Sequence, residues 1–393
     1  MTRIVEVREE AVRLEAAIRN SVIDFSQMTV SVVAVVSDRQ EGGRPLVGLG
    51  FNSIGRYAQS GMMRDRFIPR LLEVDRADRL DPRGELNPAV VRDLLMRNEK
   101  PGGHGERSGA VAAIELAVWD LAAKLADVPL YRLLADRYNR GRFDSSVDVY
   151  AAGGYYYPGE SENRVVDEMQ GYLDQGYTHL KMKIGGAPLD QDMRRIESVL
   201  AIVDGDGTRL AVDANGRFDL ETAALYGERM AQYGLRWYEE AGDPLDYALQ
   251  KELGRHYGQP FATAENLFSR EDVRNLLRYA GLRPDKDYLQ MDPGLSYGVV
   301  ELTRMLEDMA DAGWSPRRLI PHGGHLMALH IAAGLELGGN ESYPGIFQPF
   351  GGFGQQHEVA DGAITIADTP GIGLERKAEL QPVLARLVPE AFA

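Results

Sequence analysis

Three carboxylic acids stand at regular intervals in the second half of the chain. They are Asp213, Glu239 and Glu265, spaced 26 and 26 residues apart. Each ends a short apolar stretch of strand character, and the spacing matches one strand-plus-helix unit. An acid at a strand end often caps the helix that follows. Three in step suggest a shared task. Close carboxylates raise one another's pKa unless a cation compensates. Oxygen-only donors suit a hard divalent ion such as magnesium or calcium over zinc. Glu240 competes with Glu239, but strand neighbours face opposite sides. Glu239 is the expected ligand and Glu240 the supporting residue. Asn215, two residues past Asp213, is placed to orient ligand or substrate.

Candidate proton carriers flank these acids. The stretch KMKIGG puts Lys181 and Lys183 two apart, on one side of a strand. One ammonium lowers the pKa of the other, as does a nearby cation, so a lysine here can act as a base. Solvent-facing lysines are the commoner case, yet this strand is otherwise apolar. Further on, IPHGGH carries His322 at a strand end, with His325 just past it. Asp292 ends the preceding strand. An aspartate that accepts from one ring nitrogen orients the imidazole and supports its charged form. His325 reads as structural. The set describes a divalent-metal site flanked by a candidate base and a candidate acid.

Such residues need a frame that brings strand ends together. From Asp148 onward, short apolar strands alternate with helices, an α/β pattern of parallel units. The expected strands are Val147 to Ala151, His179 to Ile184, Arg209 to Asp213, Arg236 to Glu239, Phe261 to Glu265, Asp287 to Asp292 and Arg318 to His322. A short last one ends near Glu341. In a TIM-type barrel the strand ends converge on one mouth. An open doubly wound sheet would spread the acids along an edge, so the barrel is expected. Lys183 and His322 then face a substrate from opposite sides.

The first ~140 residues follow another pattern. Thr29 to Ser37 and Pro45 to Phe51 read as a hairpin turning at Gly42 and Gly43. Helices are expected over Met63 to Glu73, Pro88 to Met96 and Ala110 to Leu125, the last amphipathic and alanine-rich. The glycines of KPGGHGERS, beginning at Lys100, mark a loop that approaches something closely.

Composition narrows the function classes. The 393 residues include no cysteine, which excludes disulfides, thiolate nucleophiles and cysteine-bound zinc. A net charge of -15 argues against nucleic acid as a partner. No signal-like apolar core opens the chain, and no run approaches the ~20 residues of a membrane helix. A cytoplasmic protein without membrane contact is expected.

Together these residues resemble the mandelate racemase subgroup of the enolase superfamily, over essentially the whole chain. The resemblance implies a modified (β/α)8 barrel of (β/α)7β type over residues 141–365. It implies an α+β capping domain from residues 1–140, completed by 366–393, with PGIGLE at Pro370 leading back to it. It further implies one Mg²⁺ per subunit on Asp213, Glu239 and Glu265. Lys183 would be the base, His322 the acid oriented by Asp292, Lys181 a cationic donor, and Glu341 in NESYP the eighth-strand acid.

Within the subgroup, GFNSIGRYAQSG, NEKPGGHGERS and YAAGGYYYPG are similar to members that dehydrate D-tartrate to oxaloacetate. A small hydroxy-diacid substrate and a homo-oligomer follow as expectations. The alternatives are dehydration of another acid sugar, of galactarate or glucarate type, and racemisation or epimerisation of a 2-hydroxy acid. Asn20, Asn52, Arg56, Lys100 and Tyr156 are candidates for holding the distal carboxylate. Two departures from the subgroup are the three residues Ala241, Gly242 and Asp243 before Pro244, and Pro293 after Asp292.

Overall fold

In a computed structural model that describes residues 2–73, 80, 85–157 and 163–393, the chain opens with an antiparallel sheet. Its order is β1 (Ile4–Arg13), β2 (Thr29–Glu41), β3 (Arg44–Phe51). The β2–β3 turn uses Gly42 and Gly43, with φ of 58° and 81°, where glycine is free of the Cβ clash. β1 was not expected: half of its IVEVREEAVR is charged, and it becomes a strand by pairing along β2.

A helical run follows, α1 (Ser60–Met62), a π-helical turn (Met63–Phe67) and α2 (Ile68–Leu72). Then come α3 (Pro88–Leu95), α4 (Gly105–Leu125) and α5 (Leu130–Tyr138). α4 is not amphipathic. Residues 107–123 are all buried, so it is enclosed on every side. Its alanines permit very close contact with β3. A Cβ at Gly48 or Gly50 would stand 2.1 Å and 2.6 Å from the carbonyl oxygens of Ala117 and Ala113.

The barrel begins at β4 (Ser146–Gly153). Units follow as α6 (Asn163–Asp174), β5 (Leu180–Lys183), α7 (Leu189–Ile202), β6 (Leu210–Asp213), α8 (Leu220–Met230) and β7 (Tyr238–Glu239). They continue as α9 (Tyr247–His256), β8 (Phe261–Thr263), α10 (Arg270–Tyr279), β9 (Tyr288–Leu289) and α11 (Val299–Asp311). α12 (Leu326–Gly334) leads to β10 (Asn340–Ser342). Adjacent strands from β4 to β9 pair in parallel, and β10 returns to β4. Residues 319–322 fill the seventh strand position. The Ile320 N–H donates to Leu289 at 2.9 Å, and the Glu341 N–H donates to Pro321 at 3.4 Å. This closes the (β/α)7β barrel. Side-chain acceptors of Asp219, Asp246 and Ser269 cap α8, α9 and α10.

Of the expected sixth strand, Asp287 to Asp292, only Tyr288–Leu289 is strand, and its flanking acids hold other partners. Asp287 accepts from the Phe261 N–H at 2.9 Å and pairs with Arg283. Asp292 engages His322.

A hairpin, β11 (Val359–Ala360) and β12 (Ala363–Thr365), then lies antiparallel on the start of β4. Finally α13 (Gln381–Leu387) and α14 (Pro389–Phe392) reach the N-terminal sheet. There Arg8 pairs with Glu390 at 2.6 Å, and Arg386 with Glu10 at 2.8 Å.

One buried acid ties cap to barrel. Glu115 of α4 accepts from the Val299 and Val300 N–H groups at 3.0 and 3.1 Å, at the start of α11. A carboxylate there satisfies orphan donors and faces the positive helix end. Gly298, with φ 89°, leaves it room: a Cβ would lie 2.1 Å from Glu115 Oε2. Among the described residues, no helix is long and apolar enough to cross a membrane.

Candidate active site

The C-terminal ends of the barrel strands open into a cavity of about 630 Å³ beneath the cap. Its depth is set by strand register. Lys183, Asp213 and Glu239 pair side by side across β5, β6 and β7. Glu265 departs from equal placement. The residue opposite Glu239 is Ala262, so Glu265 lies three residues further on. Ala264 takes φ 93°, a left-handed value that turns the chain after β8. One oxygen from each of Asp213, Glu239 and Glu265 still lies within 4.8 Å of the others. The equal spacing in sequence identifies the acids, and the turn at Ala264 accompanies their convergence.

These three could hold a hard cation. All donors are carboxylate oxygens, and Glu265 Oε2 is buried without a hydrogen-bond partner. The supports are built. Glu239 Oε1 meets Lys181 Nζ at 2.5 Å, while Oε2 accepts from Trp237 Nε1 at 2.7 Å and Gln290 Nε2 at 2.8 Å. Asp213 pairs with Lys183 and accepts from the Asn215 N–H at 2.8 Å. Groups that fix a ligand carboxylate in this way set the affinity of a metal site.

The charges are interlocked. Burial alone pushes Lys183 down, but the adjacent Asp213 carboxylate outweighs it and raises the ammonium. The charge nearest to Lys183 is the acid Asp213, which outweighs the opposing effect of Lys181. Asp213 is held low: burial opposes its charge, and Lys183 and Lys181 overcome that. Burial, joined by Asp213, pushes Glu239 up against Lys181.

His322 forms the opposite wall. Its Nδ1 meets Asp292 Oδ2 at 2.8 Å, and Asp292 Oδ1 accepts from the Gly294 N–H at 2.7 Å. Pro293 therefore leaves the pair in contact. Burial disfavours the imidazolium, but Glu265, Asp292 and Glu341 outweigh it and raise His322 to about 10. His325 is neutral by contrast, pushed down to about 4 by burial. It accepts the Ala328 N–H at the start of α12, a structural role.

The remaining candidates divide. Asn20, Arg56 and Asn215 line the cavity. Among the described residues Arg56 has no carboxylate partner. It donates to Asn266 Oδ1 at 2.8 Å and lies over Phe268. Lys181 is fully buried, beneath the cavity wall, paired with Glu239 and with Glu341 at 2.7 Å. Its ammonium is held between those two acids. Glu341 is likewise buried and accepts from the Gly323 N–H.

Three cap and loop candidates are corrected. Asn52 is fully buried, accepting from the Ser31 N–H at 2.6 Å and donating to loop carbonyls. Lys100 is exposed and outside the cavity lining, while His104 of the same glycine-rich loop lines it. Tyr156 turns away to Asp192 at 2.7 Å.

Sequence reasoning also passed over Tyr155, Asn266 and Tyr343. Asn266 donates to Glu240 and Glu265, linking Arg56 to a candidate ligand. Glu240, at φ 38°, breaks strand alternation and lines the cavity instead of lying behind Glu239. The available signal was adjacency: Asn266 follows Glu265, and Tyr343 lies in NESYP two residues after Glu341.

A closed β/α-barrel with an acid cluster and opposed proton carriers at its strand ends defines a class of lyases and isomerases that work beside carboxylates. Residues 164–380 match the family described as Enolase C-terminal domain-like. The chain belongs to the enolase superfamily, in the mandelate racemase and muconate lactonizing subgroup. It is 30% identical over 285 residues to an L-talarate/galactarate dehydratase of Salmonella typhimurium, covering 72% of this chain and 67% of that protein. The crystal structure of that dehydratase with Mg and L-lyxarohydroxamate aligns with TM-score 0.73 at 24% identity, over 93% of this chain and 88% of the other. A racemase from Streptomyces coelicolor with bound magnesium aligns with TM-score 0.77 at 21% identity, over 98% and 99%. The last two establish the fold.

Proposed function

We propose that this protein dehydrates a hydroxy-diacid of the acid-sugar class, using magnesium at Asp213, Glu239 and Glu265. The observation that carries this reading is the placement of Lys183 and His322 on one cavity, with strands β6, β7, β8 and β9 between them in the sheet order. When bound, the ion supplies positive charge where the substrate carboxylate gains electrons.

Lys183 Nζ takes the α-proton as the neutral amine, a form favoured when a divalent cation on Asp213 competes for the carboxylate that holds the Lys183 proton. Lys181 holds Glu239 and Glu341 in place. His322, kept protonated and oriented by Asp292, supplies the proton with which the β-hydroxyl leaves as water. The resulting enol tautomerises to a 2-keto acid. Arg56, lacking a carboxylate partner, receives the distal carboxylate.

The broader reading is supported by similarity to a protein named for L-talarate and galactarate. The narrower one, D-tartrate to oxaloacetate, rests on the passages quoted above. A cavity of about 630 Å³ suits a six-carbon diacid as well as a shorter one. A panel of acid sugars assayed for 2-keto acid formation with Mg²⁺ tests both. Turnover of galactarate-type diacids without D-tartrate would retire the narrower reading. Turnover that survives a chelator would retire magnesium.

A further inference from the structure

We propose that Tyr343 is the group through which His322 delivers its proton to the departing hydroxyl. This inference rests on the dehydration reading above. Asp292 occupies Nδ1 of His322, so Nε2 is the nitrogen left for chemistry. Nε2 meets the Tyr343 hydroxyl at 3.0 Å. The carboxylates of Glu265 and Glu341 stand further off, at 3.6 and 3.9 Å. Both His322 and Tyr343 line the cavity.

The phenol is held firmly. Its residue is 1% exposed. The ring packs edge-on against Phe347 at 4.9 Å. On another side Gly324 makes room, since a Cβ there would lie 2.5 Å from the ring. The backbone is anchored by β10, which ends one residue earlier and pairs with β4.

In its role as the acid His322 carries a hydrogen on each ring nitrogen, one facing Asp292 and one facing Tyr343, so the Tyr343 oxygen accepts. A hydroxyl has one donor and two acceptor positions, and its own hydrogen is then available to a second partner. An Nε2–H committed to a phenol does not reach a substrate oxygen unless that bond breaks. Relay avoids the break. Lys183 takes the α-proton, and the electrons of the Cα–H bond form the new C=C bond. The Cβ–O bond breaks, and its electrons leave on oxygen. Tyr343 O–H protonates that oxygen to water while His322 Nε2–H reprotonates Tyr343. The tyrosine ends neutral, His322 ends as neutral imidazole, and Lys183 ends as ammonium.

The test uses full-length Tyr343→Phe with Mg²⁺ and the diacid that the wild type turns over. Two rates are read: 2-keto acid formation, and exchange of the substrate α-hydrogen with deuterium oxide followed by NMR. The expected result is a kcat for keto acid lowered ~100-fold, with KM within about threefold and α-exchange retained. The double variant Tyr343→Phe/His322→Asn is expected to be no slower than His322→Asn alone, because both remove one relay. An unchanged kcat in Tyr343→Phe overturns the relay. So does equal loss of exchange and elimination, which indicates a structural role. Multiplying defects in the double variant also overturn it. A wild-type protein that neither exchanges nor eliminates any diacid sinks the dehydration reading, and the relay with it.

Discussion

The strand ends of the barrel and the cap-facing wall of the cavity are built on different principles. At the strand ends, charges are buried and interlocked, with Glu265 Oε2 left without a hydrogen-bond partner. Lys181 touches both Glu239 and Glu341, and Lys183 touches Asp213. The cap side is less committed. Arg56 has no carboxylate partner among the described residues, His104 bonds Tyr297 through one ring nitrogen, and Val22 is 60% exposed. Chemistry demands fixed geometry, which strands provide through register. Recognition needs spare donors, which loops carry. The cap's fixed charges lie away from the cavity, in a cluster where Glu99 meets Arg66, Arg70 and Arg107.

Substitutions on the two sides should therefore differ in kind. The largest effect is expected at Lys183→Ala, with kcat down ~10³-fold or more and α-hydrogen exchange lost alongside elimination. Near-normal exchange in that variant would move the base elsewhere. Asp292→Asn should slow elimination ~100-fold while leaving exchange largely intact, because it acts on the acid half only. Steady-state assay alongside deuterium exchange separates the halves.

On the cap side, Arg56→Ala should raise KM for diacids about 10- to 50-fold with little change in kcat, since it removes binding felt equally in ground and transition states. A kcat defect of the Lys183 size would erase the proposed division.

The Glu99 cluster should answer to pH and not to substrate. Burial opposes its charge, yet the arginines hold its carboxyl down at about 2. A depressed folded pKa stabilises above the unfolded value of about 4.3 and loses that contribution as pH falls toward about 2. Glu99→Gln should thus cost about 2 kcal/mol at pH 7, with the gap to wild type closing below pH ~4, as read by urea unfolding. The smallest effect is expected at Lys100→Ala, within about twofold in kcat and KM. A larger change would restore it as a substrate contact.

Much of the catalytic side was legible because it is periodic. The spacing of Asp213, Glu239 and Glu265 follows the length of a βα unit, and Lys181 and Lys183 sit two apart on one strand. Such patterns record local direction, which depends on few neighbours. They also carried the barrel, through alternation of strands and helices.

Tertiary contacts decided the rest. Ala264 at φ 93° accompanies Glu265's departure from register, and Glu240 at φ 38° enters the cavity against strand alternation. Asn52, Lys100 and Tyr156 looked equivalent to Arg56 as polar residues near glycines. Asn52 is consumed by backbone groups, Tyr156 by Asp192, and Lys100 lies outside. A loop side chain takes its direction from whatever packs against it, often from distant sequence. Residue types and spacing thus determined which groups this protein brings to its chemistry. Long-range packing determined which reach the cavity and which, like Lys181, only support those that do.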